Sequence, residues 1–246
     1  MQEPLLMRAV CYDSVLLTEQ LQYSFFKDED DEPGDRFNSI AETELIKWIF
    51  NHPYKFADYL FFQELEIDRS YIPYFEVKNP IIKDSSAPGD IDILLIDKRN
   101  PQFSIALQVK RVKATIDEND LSVLKTSQIK KGVQQAKWMH EKYRFHKSYL
   151  MLTIVTDSQR RNHNSQIFRY NTVEEKSVIY KHSGFGDLPE DIGIYIFEIN
   201  QPSANSINYT ATIAAKALRF AKPCDQLNDT TNHINLFLEK VSPQTN

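Results

Sequence analysis

Glycine, cysteine and long apolar runs are scarce in this sequence, and each shortage excludes a class of function. With six glycines among 246 residues, the chain has no glycine-rich loop of the kind that binds nucleotide phosphates. Its six histidines show no common spacing that would hold zinc. The two cysteines, Cys11 and Cys224, lie near opposite ends, which fits two buried thiols in a reducing cytoplasm and leaves a single disulfide open.

No stretch of the chain resembles a membrane or targeting segment. The apolar runs fall well short of the roughly 20 residues that a membrane helix requires, so Tyr149–Val155 predicts at most a buried strand. The first residues carry Glu3 and Arg8 around a short apolar patch, unlike a signal peptide. We therefore expect a cytoplasmic protein without membrane association. Because 41% of its residues are hydrophobic, it can bury one sizeable core.

Charge is distributed unevenly along the chain, whose net charge is −5. Residues 98–147 contain twelve lysines or arginines and four acidic residues, whereas residues 28–35 hold six acidic residues in eight positions. The acidic run is typical of a loop or disordered segment. A segregated basic region can hold a phosphate backbone while the protein stays soluble, and a solvated lysine face is the ordinary alternative.

The most informative segment is a predicted hairpin. Residues 88–97 (PGDIDILLID) predict an apolar strand that carries Asp92, residues 98–102 predict a turn, and residues 106–113 (ALQVKRVK) predict the second strand. Since side chains alternate along a strand, Gln108 and Lys110 share one face, with Leu107 and Val109 on the other. The hairpin can therefore bring Asp92, Gln108 and Lys110 together.

Such a cluster suits metal-assisted hydrolysis of phosphodiesters. Mg²⁺, or Mn²⁺, prefers oxygen ligands, which the Asp92 carboxylate, the Gln108 amide and the Val109 carbonyl would provide. Lys110 would orient or deprotonate the attacking water and offset charge on the phosphate. Each residue also has an ordinary interpretation, because Asp92 can bond local amides at a strand entry and Lys110 can protect a sheet edge from aggregation.

The hairpin resembles the PD-(D/E)XK nuclease superfamily, in which a strand aspartate precedes an (Asp/Glu/Gln)-x-Lys strand. The run from Gly89 to Leu94 is similar to the family's Gly-x-x-Asp opening, which favours Asp92 over Asp90. Gln at position 108 resembles the QxK branch of Mrr-like restriction endonucleases and phage-defence effectors. The resemblance implies an α/β fold with a restriction-endonuclease-like core, in which helices flank a mixed central β-sheet in αβββαβ order. It also implies 5′-phosphate and 3′-hydroxyl products.

The family usually adds a glutamate from a preceding helix, and residues 36–50 have helical spacing. Leu45, Ile46 and Ile49 follow Glu42 by three, four and seven residues, so Glu42 points toward the apolar face. We therefore predict Glu42 as the fourth catalytic residue. Glu44, near the edge of that face, stays open as an alternative, as does a capping box between Ser39 and Glu42.

Basic residues in and after the hairpin are the candidates for phosphate contact. They lie in the second strand, in a helix predicted over Ser127–Tyr143 and in the polar loop 157–164; they are Arg111, Lys113, Lys130, Lys131, Lys137, Arg160 and Arg161. A solvated loop without a role is an equal alternative for the last two. Gln134 and Gln135 are interpreted as ordinary residues of the helix surface.

The rest of the chain predicts three segments. Residues 1–35 form an arm with a strand pair and the acidic run, residues 36–200 form the nuclease-like core, and residues 201–246 form a helical appendage. Within the core, residues 54–67 predict either a helix or a strand. Within the appendage, Ile207–Phe220 predicts a helix because it is rich in alanine, and Ile234–Val241 predicts an amphipathic piece that docks on the core or on a partner.

The expected function is that of a metal-dependent DNA endonuclease in restriction or anti-phage defence. The alternative is a catalytically inactive nucleic-acid-binding or scaffolding module on the same fold. A homodimer or an activating partner subunit is also expected, because two active sites cut both strands of a duplex most simply. Whether DNA or RNA is cut stays open.

Overall fold

The computed structural model of the chain describes residues 5–9, 21–23, 42–51, 56–82, 89–117, 120–124, 126–157, 185–201 and 210–241. The helices in these ranges are α1 (Glu42–Asn51), α2 (Phe56–Glu64), α3 (Thr126–Tyr143) and α4 (Asn228–Val241). The strands are β1 (Leu5–Ala9), β2 (Leu21–Tyr23), β3 (Ile72–Val77), β4 (Ile91–Ile96), β5 (Ile105–Asp117), β6 (Asp120–Leu124), β7 (Lys147–Asp157), β8 (Gly193–Gln201) and β9 (Thr210–Arg219). The acidic run, Ser39, Arg160 and Arg161 lie outside the described residues.

The strands form one mixed sheet with helices on its faces, as expected for an α/β protein. Its order is β2-β1-β9-β8-β7-β5-β4-β3, and β6 pairs with β5. Strands β3, β4 and β5 are antiparallel neighbours. Helix α3 then connects β5 to the parallel strand β7, and β8 continues in parallel. The parallel pairing of β5 with β7 requires such a crossover connection, which an α-helix usually provides.

The predicted hairpin of β4 and β5 is present, with Ile93 opposite Leu107. Its turn is fixed by Asp97, whose carboxylate accepts hydrogen bonds from the backbone of Arg99 and the side chain of Asn100. A short 3-10 helix, Pro101–Phe103, leads into β5. This polar turn explains why the chain reverses between two apolar strands.

The core lies on both faces of the sheet. Helices α1 and α2 cover one face, on which Leu45, Ile49 and Phe61 form a cluster with Leu107 and Val109 of β5. Helix α3 covers the other face, and its predicted apolar stripe is buried there, as the low exposure of Ile129, Val133, Ala136 and Tyr143 shows. A sheet covered on both faces requires near-continuous apolar strands, which is what β4 and β7 provide.

The C-terminal part of the fold differs from its prediction in one element. The helix predicted for Ile207–Phe220 is wrong, because Thr210–Arg219 is strand β9, which pairs antiparallel with β8 and parallel with β1. Alanine favours helices only weakly in comparison with tertiary contacts, and pairing on both edges satisfies the backbone of β9. Residues of the predicted arm and appendage therefore share one sheet with the predicted core.

Helix α4 docks on the core as expected for its C-terminal half. Ile234 is fully buried, the Thr230 hydroxyl donates to the Tyr143 carbonyl, and the Phe237 ring packs edge-on against Tyr74. Residues 56–64, for which helix and strand were both open, form α2. No helix in the described part of the chain is long and apolar enough to cross a membrane.

Candidate active site

The candidate site lies where the edge of β5 is left open between two partner strands. β4 pairs with β5 as far as Leu107, and β6 pairs with it from Lys113 onward. Within the described chain, residues 108–112 therefore pair with β7 on one edge and face side chains on the other. An open strand edge presents backbone N–H and C=O groups that need partners.

Asp92 provides one of these partners. One of its carboxylate oxygens, Oδ2, accepts a hydrogen bond from the Val109 backbone N–H at 2.6 Å and another from the Gln108 side-chain amide. The same oxygen is 3.6 Å from the Lys110 ammonium. The predicted meeting of Asp92, Gln108 and Lys110 on one face of the hairpin is thus what the structure shows.

Glu42 provides the second partner from the opposite face of the sheet. It is the first residue of α1, which is anchored by the buried Leu45 and Ile49. Its Oε2 accepts a hydrogen bond from the Arg111 backbone N–H at 2.5 Å, and its Oε1 is 3.7 Å from the Lys110 ammonium. Glu42 thus joins the cluster, while the side chain of Glu44 lies outside the described residues.

Lys110 lies at the centre of these groups. Its side chain is only 10% exposed, and its ammonium donates to the Val109 carbonyl oxygen at 2.6 Å. The ammonium therefore has three oxygens around it, from Val109, Asp92 and Glu42. A buried cation is tolerated only when anions or carbonyls surround it in this way.

Lys110 does not fully compensate the negative charge that Asp92 would carry when ionised. Burial raises the pKa of this carboxyl from 3.8 to about 7, against the opposing effects of Lys110 and of the Val109 hydrogen bond. The negative charges of Glu42 and Asp90 raise the pKa further. A second cation at this place would favour the ionised carboxylate.

The groups at the open edge fit a hard divalent cation. Two carboxylates and a backbone carbonyl are an all-oxygen set of the kind that Mg²⁺ and Mn²⁺ prefer. Asp92, Glu42 and the Val109 carbonyl are the groups that would hold the ion. No group of three or more His, Cys, Asp or Glu side chains gathers among the described residues, so such an ion would depend on the carbonyl and on water as well.

In the structure Gln108 contacts the carboxylate with which it is predicted to share a metal ion. Its amide nitrogen donates to Asp92, and the side chain is almost fully buried. As a metal ligand, Gln108 would have to present its amide oxygen, which requires the amide to turn over. That Gln108 binds the metal ion together with Asp92 and Val109 stays a prediction.

The predicted phosphate-binding residues fall into different environments. Lys130, Lys131 and Lys137 are exposed on α3, where Lys137 pairs with Glu141 at 3.9 Å. Arg111 is buried, and burial lowers the pKa of its guanidinium while Glu42 raises it. Lys113 belongs to β5, but its side chain lies outside the described residues. Contact with nucleic acid stays a prediction for all of them.

Two residues of α3 lie next to the site. The sequence did not indicate Gly132 as a site residue, and Gln135 was interpreted as an ordinary residue of the helix surface. A Cβ atom at Gly132 would lie 2.5 Å from Cγ of Lys110, so this helix approaches the lysine stem closely. Gln135 is half-buried and lies beside Gly89, whose Cβ would be 3.0 Å from its amide nitrogen. A glycine inside a helical pattern was the available signal, because glycine is unfavourable there without a packing reason.

In comparisons with known proteins, no family model, no curated protein and no solved structure matches this chain. The resemblance to the PD-(D/E)XK superfamily therefore stays a prediction. Any assignment of function depends on the geometry of the cluster around Lys110.

Proposed function

We propose that this protein is a metal-dependent nuclease that hydrolyses phosphodiester bonds, with a restriction-endonuclease-like core and DNA as its substrate. The observation that carries the proposal is the convergence of Asp92, Glu42, the Val109 carbonyl and Lys110 at the open edge of β5. A place in restriction or anti-phage defence is proposed from the resemblance of Gln108 and Lys110 to the QxK branch.

The order of elements around the site supports a nuclease core of this kind. Two helices (α1 and α2) precede the antiparallel strands β3, β4, β5 and β6, which are followed by helix α3 and the parallel strand β7. With α2 and β6 as additions, this succession agrees with the αβββαβ order that the resemblance implies. Fold alone does not fix function, so the argument depends on the side chains that this order brings together.

The chain's own residues divide the work of hydrolysis among them. Asp92, Glu42 and the Val109 carbonyl would hold the cation, which supplies a polarised water and positive charge near the phosphate. Lys110, whose ammonium is within 3.7 Å of both carboxylates, orients the attacking water and offsets charge that develops on the phosphate. Gln108 holds the Asp92 carboxylate in place through its amide.

The substrate would lie along the basic surface of α3. Lys130 and Lys131 are exposed and directly precede Gly132, which the Lys110 stem approaches closely. Lysines at such a position bind phosphates without reading the sequence of bases. A homodimer would bring two such sites to the two strands of a duplex.

A second candidate is a nucleic-acid-binding module without catalysis. It is favoured by the groups of the cluster, because Gln108 is neutral and the Lys110 ammonium already lies within 3.7 Å of both carboxylates. Such a module would bind DNA in a salt-sensitive manner, and binding would survive both chelation and the substitution Asp92→Ala.

The two functions are separated by incubating purified protein with supercoiled plasmid in Mg²⁺ or Mn²⁺. Wild type is expected to nick or linearise the plasmid, and Asp92→Ala, Lys110→Ala and EDTA are each expected to abolish cleavage. The matched controls are Asp97→Asn, at the other end of β4, and Lys78→Ala, an exposed lysine after β3. Both controls should cleave as wild type does.

Cleavage that persists in Asp92→Ala would point to a contaminating nuclease or to another site. An intact plasmid whose electrophoretic mobility is shifted equally by wild type and Asp92→Ala would establish the binding module instead.

A further inference from the structure

Gly132 lies inside α3, a helix of eighteen residues, on the side that packs against β5 and β7. A glycine in a helix interior is less favourable than alanine, because it loses more backbone entropy and buries no side chain. Its neighbours Lys130 and Lys131 are exposed, whereas Gly132 itself is buried. A close approach of another group is the usual physical reason for such a glycine.

The group that approaches is the stem of Lys110. A Cβ atom at position 132 would lie 2.5 Å from Cγ of Lys110 and 2.9 Å from Cδ1 of Leu150. Both distances are shorter than real Cβ contacts. Leu150 presents the end of a side chain that can rotate, but Cγ of Lys110 lies near the backbone of β5 and its movement would carry the rest of the stem with it.

The position of that stem determines where the ammonium lies. With the stem crossing α3 at Gly132, the ammonium donates to the Val109 carbonyl at 2.6 Å. There it is within 3.7 Å of carboxylate oxygens of Asp92 and Glu42. These are the three groups that would hold a divalent cation, so the ammonium contacts the same oxygens as that cation would.

We propose that Gly132 is a positioning residue of the active site, because the absence of a side chain there lets the Lys110 stem cross α3 and place its ammonium among the oxygens of Val109, Asp92 and Glu42. The inference rests on the proposed nuclease function and adds a consequence to it. A divalent cation held by Val109, Asp92 and Glu42 would compete with the ammonium for the same oxygens, and Lys110 would then be free to reach the water and phosphate that it serves.

A role of Gly132 in packing alone predicts different effects of its substitution. If Gly132 only allowed close packing of α3 on the sheet, Gly132→Ala would lower stability and affect the site no more than any other loss of stability does. If Gly132 acts through Lys110, its substitution changes the site only while the lysine stem is present. The variant Lys110→Ala removes Cγ, and with it the atom that the methyl group of Gly132→Ala would meet.

The test is a double-mutant cycle of Gly132→Ala and Lys110→Ala with Mn²⁺ affinity as its readout; plasmid cleavage is compared only between wild type and Gly132→Ala, because Lys110→Ala is expected to abolish it. Gly132→Ala alone should lower cleavage by about a hundredfold, the usual order of effect of a displaced catalytic group. It should raise Mn²⁺ affinity, measured from the EPR signal of the free ion, by roughly tenfold because the competing ammonium is displaced. In the Lys110→Ala background, Gly132→Ala should leave the Mn²⁺ affinity unchanged.

The chain offers two matched glycine controls. At Gly186 an added Cβ meets nothing within 4 Å, so Gly186→Ala should behave as wild type. At Gly193 an added Cβ would overlap the ring of Tyr149, so Gly193→Ala should lose stability without gaining affinity for Mn²⁺. Urea unfolding of each variant separates stability from effects at the site.

A readout that needs neither metal nor substrate separates this inference from the proposed function. Acylation of the Lys110 amine by an N-hydroxysuccinimide ester, followed by peptide mass spectrometry, should be slow in the wild type and several-fold faster in Gly132→Ala. Faster acylation in a protein that neither binds Mn²⁺ nor cleaves DNA would support the positioning role and refute the nuclease. Cleavage, Mn²⁺ affinity and acylation equal to those of Gly186→Ala would overturn the positioning role and leave the nuclease standing. Additive effects in the double mutant would also overturn it.

Discussion

The substitution Asp92→Asn is expected to stabilise the metal-free protein, and increasingly so as the pH rises. Asparagine keeps the size of the side chain and an oxygen that can accept from the Val109 N–H, but it removes the ionisable group. In the folded protein, burial raises the pKa of Asp92 from 3.8 to about 7. A carboxyl with a raised pKa contributes stability that is fully present below the unfolded pKa and is lost as the pH rises toward the folded pKa.

The magnitude follows from the difference between the two pKa values. Each pKa unit corresponds to about 1.4 kcal/mol, so the ionisation of Asp92 costs the metal-free protein about 4 kcal/mol once the pH exceeds about 7. Between about pH 5 and about pH 8, the free energy of unfolding of Asp92→Asn minus that of the wild type should therefore grow by roughly 3 kcal/mol. This difference exceeds the error of a denaturant titration.

The assay is urea unfolding of both proteins in EDTA across this pH range. Asp97→Asn is the control without a pH dependence in this range, because hydrogen bonds from Asn100 and Arg99 lower the pKa of Asp97 from 3.8, so that its ionisation is complete at every pH of the assay. The stability that Asp97 contributes is present above its unfolded pKa and is lost as the pH falls through the folded pKa. Adding Mn²⁺ should stabilise wild type at high pH and stabilise Asp92→Asn much less, since that variant keeps only one of the two carboxylates, that of Glu42.

A difference that does not change with pH would refute this reasoning. It would mean that Asp92 is already ionised and fully compensated by Lys110 in the free protein. The open edge of β5 would then have no unmet negative charge to attract a second cation.

Two further predictions concern the metal and the substrate. Gln108→Glu restores an acid at the neutral position of the cluster and should tighten Mn²⁺ binding by about tenfold or more, from the added charge; unchanged or weaker binding in a calorimetric titration would count against Gln108 as a ligand. Replacing both Lys130 and Lys131 by alanine should weaken DNA binding and lower the slope of log affinity against log salt by about 2, whereas Lys78→Ala should alter neither; an unchanged slope would place the phosphates elsewhere.

The hairpin and its residues could be predicted from the sequence because strand signals are local. Side chains alternate with a period of two along a strand, so Gln108 and Lys110 had to share a face. The polar turn between β4 and β5 had to bring Asp92 near them. The helical spacing after Glu42 is equally local, and it pointed the carboxylate toward the core.

Strand β9 could not be predicted in this way. Its sequence, TATIAAKALR, contains alanines that favour a helix in isolation. The partners that decide otherwise are β8 and β1, the second of which lies some two hundred residues earlier in the chain. Hydrogen bonds to such distant strands outweigh a propensity of a few tenths of a kcal/mol per residue.

The sequence by itself determined which functional groups this protein has and on which local elements they lie. Asp92 lies at the start of an apolar strand, Gln108 and Lys110 lie in the next strand, and Glu42 faces inward from a helix. Only the tertiary structure decided how these groups meet. Among the described residues it left the edge of β5 open between β4 and β6, brought Glu42 to the Arg111 N–H and set Gly132 against the Lys110 stem. The physical reason is that periodicity fixes the face on which a side chain lies, whereas contacts between distant segments depend on how the whole core packs.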